Sequence, residues 1–110
     1  MNDPISPRLI DALPAFAKEV EDLLIECGEA ELAAHLPSLI IVDRCRCNEG
    51  FCASFYTQPK PKGSYGPGHR NVDLEPQNGM IILDVVDEKI MKIEVLYRNE
   101  IRDALQRTIT

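Results

Sequence analysis

Gly79-Met80-Ile81-Ile82-Leu83-Asp84-Val85-Val86-Asp87-Glu88-Lys89-Ile90-Met91-Lys92-Ile93-Glu94-Val95-Leu96 decides the fold. Two aliphatic runs, 80–86 and 89–97, meet at the polar pair Asp87-Glu88, and a tight antiparallel hairpin is predicted. In the second run Met91, Ile93, Val95 and Tyr97 alternate with Ile90, Lys92, Glu94 and Leu96. Alternation of this kind gives a sheet with one face against a core and one wetter face.

Working upstream, Leu39-Ile40-Ile41-Val42 continues through Asp43 to Cys47, and Asn48-Glu49-Gly50 supplies turn chemistry before Phe51–Thr57. A second hairpin is predicted there. Between the hairpins, residues 58–79 contain four prolines and four glycines without periodicity, which reads as a long loop. Nearer the N-terminus, Ser6-Pro7 has the form of an N-cap with proline at the first helical position, and Pro14 should break the helix near Leu13. Phe16, Val20, Leu23, Leu24 and Cys27 then recur at helical spacing up to Gly28. A short helix follows from Glu29 to Leu36, closed by Pro37. Downstream of the deciding hairpin, Asn99 is placed to cap a helix containing Ile101, Ala104 and Leu105. The expectation is one α+β domain over 1–110. Its antiparallel four-stranded sheet, made of two hairpins, has N-terminal helices and a short C-terminal helix packed on one face.

The 110 residues, 45% of them hydrophobic, suffice for one ordinary core. No apolar run reaches membrane-spanning length and Met-Asn-Asp-Pro carries no export signal, so a cytoplasmic protein with no membrane association is expected. Charge is uneven along the chain. Residues 1–43 hold nine acids and two bases, 44–72 one acid and five bases, and 73–110 eight acids and five bases. The acidic total opposes encounter with phosphate, and tryptophan is absent, so nucleic acid is not an expected partner. A basic protein partner suits the helical acids Asp11, Glu19, Glu21, Asp22, Glu26, Glu29 and Glu31, although each alone can be a solvated residue. The sheet edges would also permit a homodimer.

Cys45, Cys47 and Cys52 are the most individual residues. Side chains two apart on a strand share a face, and a four-residue turn sets Cys47 across from Cys52, so three thiols converge on paper. Burial as small apolar residues, zinc ligation and thiol redox chemistry all remain open. Zinc is the only cofactor this pattern suggests, and a second cysteine knuckle to complete it is missing. In the 58–79 loop, Lys60, Lys62, Tyr65, His69 and Arg70 form a basic, aromatic-bearing strip suited to an anionic ligand. No P-loop, nucleophile elbow or dinucleotide fingerprint occurs, and a noncatalytic protein is expected.

The segment Gly79–Leu96 resembles the strand-turn-strand units of small uncharacterised bacterial domains whose final strand reads I-x-x-I-E-V-L. That likeness implies antiparallel pairing and a bacterial setting. In size and acidity the chain is also similar to immunity proteins that neutralise basic bacterial toxins, which implies steering toward a positively charged partner.

Overall fold

The computed structural model describes residues 6–109; Met1–Pro4, read above for an export signal, lies outside them. Four α-helices and five strands follow in the order α1 (Leu9–Ala12), α2 (Pro14–Glu26), α3 (Ala30–His35), β1 (Asp43–Arg44), β2 (Phe55–Tyr56), β3 (His69–Leu74), β4 (Met80–Val86), β5 (Lys89–Leu96) and α4 (Asn99–Thr108). A 3-10 turn, Leu36–Ser38, ends the run after α3. The strands form one antiparallel sheet in the order β1-β2-β5-β4-β3, so the α+β class stands with a sheet of five strands rather than four.

The additional strand lies within the stretch read as loop. His69-Arg70-Asn71-Val72-Asp73-Leu74 has only two apolar residues, which is too few for a sequence signal, but both are buried and all six residues pair with β4. As an edge strand it needs to bury only one face, and its polar outer residues stay wet.

β4 and β5 occupy the predicted runs almost to the residue, joined by Asp87 and Glu88, both at positive φ as the mirror-image hairpin turn requires. The inward set differs from strict alternation. A register shift at Asp84/Val85 pairs Asp84 with Lys92 and Val85 with Ile90, leaving Met91 as the extra residue. Ile90, Ile93 and Val95 are therefore the buried residues, while Met91 is half-buried and Tyr97, at positive φ, is exposed.

The helices behave as proline and glycine dictate. Leu13 is non-helical ahead of Pro14 and separates α1 from α2. At the other end of α2, Gly28 takes φ 86°, its N–H donates to the Ile25 carbonyl and that of Glu29 to the Leu24 carbonyl, a Schellman closure. Two expected caps are absent. Ser6 and Pro7 precede the helix, whose N-cap is Arg8, because the Pro7 carbonyl accepts from Ile41 N–H instead. Asn99 is already inside α4, with Arg98 as N-cap.

Phe16, Val20 and Leu24 of α2, Leu32 of α3, and Ile101 and Leu105 of α4 join Phe55, Ile81, Leu83, Val85, Ile93 and Val95 in one core. Two arginines tie the layers together. Arg98, at only 10% side-chain exposure, donates to both Glu19 oxygens at 2.9 and 2.8 Å and to Glu100 at 2.7 Å, with its guanidinium 5.8 Å from the Phe16 ring centre. Arg70 on β3 likewise grips both oxygens of Glu29, each at 2.9 Å, and also Glu88.

Candidate metal centre

β1 is only two residues long, pairing Asp43 with Tyr56 and Arg44 with Phe55. The same count carried toward the turn sets Cys47 opposite Cys52, as the sequence reading expected. The pairing thins out along the way. Cys45 N–H donates to the Ser54 carbonyl at 2.8 Å, Asn48 adopts φ 64°, and Cys52 N–H closes the turn onto Glu49 O at 3.1 Å. On its other side Cys52 bridges Leu96, and Ala53 N–H reaches Val95 O at 2.8 Å. The thiols thus hang at the end of the sheet where regular ladder gives way to turn.

The three Sγ atoms lie within 4.8 Å of one another. Tetrahedral zinc with bonds of about 2.3 Å to sulfur needs neighbouring sulfurs about 3.8 Å apart, so closing the cluster takes movements of roughly 1 Å. Simple packing does not describe these residues, because Cys47 is exposed and Cys45 and Cys52 are half-buried. Cys27, expected in the core, is also exposed, its thiol donating to Leu24 O at 3.4 Å. All four thiols are unbridged.

The cluster is electrostatically graded. Burial, aided by the hydrogen bond with Cys47, pushes the Cys45 thiol up to about 11. For Cys52, burial acts in the same direction but is outweighed by hydrogen bonding with the Ser54 hydroxyl and backbone and with Cys47 and Cys45, which together hold the thiol below its ordinary value. Ser54 is itself buried, and its hydroxyl stands in for a ladder carbonyl by accepting from Val95 N–H at 2.9 Å. Of Cys45 and Cys52, Cys52 gives up its proton the more readily, and a cation bound to the cluster would favour the thiolate form.

A cleft of about 230 Å³ opens over the thiols, walled by Arg44, Ser54, Arg102, Leu105 and Gln106 as well as the cysteines. Arg44 and Arg46 are engaged with different partners. Arg46 folds back onto Asp43 at 2.7 Å, holding that carboxyl below the usual range. Arg44 instead reaches toward α4, its Nε donating to Ile109 O at 2.8 Å. Arg102 of α4 anchors on the Gly50 carbonyl. Sequence reasoning missed Ser54, Arg44, Arg102 and Gln106 because nothing in the chain's local pattern announces that α4 ends beside the β1–β2 turn.

The other expected site residues are dispersed, and most are engaged within the molecule. Asp11 pairs with Arg8, Glu21 and Asp22 with Lys18, Glu19 with Arg98, and Glu29 with Arg70. Glu26 and Glu31 have no ion pair among the described residues. In the basic strip, His69 bonds Asp84 at 2.8 Å and its ring lies 5.0 Å from that of Tyr65, tilted by 51°, while burial pushes the Tyr65 hydroxyl up in pKa. Arg70 is the Glu29 clamp described above, whereas Lys60 and Lys62 stay in the exposed-to-half-exposed connection. Comparison with family models, with curated proteins and with solved structures gives no match.

Proposed function

We propose that this protein is a thiolate metal-binding domain that holds one zinc-class ion on Cys45, Cys47 and Cys52. The supporting observation is the convergence of three thiols, one exposed and two half-buried, within 4.8 Å beneath an open cleft. Thiolates select zinc, copper(I) and iron–sulfur chemistry over hard cations, and three protein ligands with a fourth position facing a cleft is the arrangement of an open site. Elemental analysis of protein purified under reducing conditions without chelator tests this. One zinc per chain in the wild type and in Cys27→Ser, lost in Cys47→Ser, is expected; sub-stoichiometric metal in the wild type after reconstitution sinks the proposal.

A second reading keeps the acidic front as a noncatalytic docking surface for a basic protein, with toxin neutralisation as its concrete case. It is favoured by a groove of about 380 Å³ in which Glu26 of α2 meets Asp73 and Glu75 beside Leu23. This groove draws on only one of the acids picked from sequence. Co-purification of a basic protein with the wild type, abolished by Glu26→Lys with Glu75→Lys, supports it; repeated recovery of the wild type alone counts against it.

A further inference from the structure

We infer that the open position over the thiols is built for an exogenous small thiol that also carries a carboxylate, its sulfur completing the metal's ligand set and its carboxylate meeting Arg44 and Arg102. This rests on the metal-binding reading above. Within the described residues, the only side chains that converge as metal ligands are the three cysteines, and the fourth position is open to a ligand entering through the cleft. A metal already bound by three thiolates favours another soft donor.

The cleft wall supplies the second half of the recognition. Arg44 is half-buried, spends its Nε on the Ile109 carbonyl, and acts on the neighbouring Asp43 carboxylate by charge without a guanidinium ion pair to any carboxylate among the described residues. Arg102, which lines the same cleft from α4, is held by Gly50 O and turns Nε and Nη2 to its neighbour Asp103 at 3.4 and 3.2 Å, its one counter-ion among the described residues. Two guanidiniums lining one small cavity favour a planar anion, which an arginine fork binds through paired hydrogen bonds. Glu49 also lines the cleft, but it is exposed to water at the turn. A volume of about 230 Å³ is below the range of drug-sized pockets and suits a molecule of few atoms. The thiol proton leaves to solvent as the thiolate binds, and no electrons are exchanged.

Cobalt(II) loaded in place of zinc reports the ligand set by its visible absorption, and 3-mercaptopropionate, 2-mercaptoethanol and propionate are the probes. The expected result is that 3-mercaptopropionate changes the cobalt bands at about tenfold lower concentration than 2-mercaptoethanol, the worth of one charge-assisted hydrogen bond. Propionate alone should be weaker than either thiol. Arg44→Gln should erase the tenfold preference while leaving the ligand-free cobalt spectrum in place. Equal affinity for the two thiols, or bands that no thiol alters, overturns the inference while the metal reading stands. Absence of any thiolate-to-cobalt band overturns the metal reading itself.

Discussion

The two flanks of the sheet are held in different ways. On the β3–β4–β5 side, ladders of six and seven residue pairs enclose Ile81, Leu83, Val85 and Ile93, each fully buried. On the β1–β2 side two pairs join β1 to β2 and two join β2 to β5, and beyond them the chain turns outward with its thiols. The first flank has its register fixed, because apolar side chains and main-chain bonds agree on it. The second has short ladders, with Phe55 in the core and separate main-chain bonds such as Ala53 N–H to Val95 O continuing them, beside the Ser54 hydroxyl on Val95 N–H. A ligand cluster gains from this placement, since sulfur atoms that need to move by roughly 1 Å can do so without breaking a long ladder.

The contrast is broken most directly by truncating the strong flank. Leu83→Ala should lower stability by about 2–5 kcal/mol in urea denaturation, through lost burial and the cavity left between sheet and helices. A loss under about 1 kcal/mol would mean that β4 is not the structural centre. The weak flank should respond oppositely. Without metal, Cys47→Ser should match the wild type within about 0.5 kcal/mol, because the side chain is exposed. Zinc at a hundredfold over its dissociation constant should then add about 2.7 kcal/mol to the wild type and nothing to the variant. Equal stabilisation of both chains would remove the difference between flanks.

The smallest effect sharpens the attachment of the strong flank to the helices. Arg70 holds the Glu29 carboxyl below its ordinary range through their hydrogen bonds. A depressed carboxyl contributes stability that is present above its ordinary pKa and lost as pH falls through the depressed value. In a pH series Glu29→Gln should therefore be less stable than the wild type at neutrality, by under about 1 kcal/mol, and the two curves should converge in acid. Parallel curves would show that the pair contributes nothing to docking α3 on β3.

Legibility followed the same division. The extent of the 80–96 hairpin could be read because its two aliphatic runs flank a polar turn, although the bulge at Met91 shifted its faces, and Pro14 and Gly28 act through local backbone sterics alone. β3 was hidden because Val72 and Leu74 make a strand only once β4 lies beside them. The thiol cluster was legible as a register, from the spacing of Cys45, Cys47 and Cys52, but its exposure was not. Strand periodicity says which residues share a face and is silent on whether a neighbour covers it. Pairing partners across the chain, such as Arg98 with Glu19 or Arg44 with the end of α4, leave no local signature.

β5 stands in the middle of the sheet although it is the last strand in the chain. Both β2 and β4 pair with it, so during synthesis the earlier strands emerge before the strand that unites them. Lys89 follows Cys52 by 37 positions, which at ribosomal speeds of about 5–20 residues per second is a delay of about 2–7 s. For that interval the three cysteines are on a nascent segment with no central strand to lean on. The segment that carries the three cysteines is therefore made before the strand that β2 pairs with.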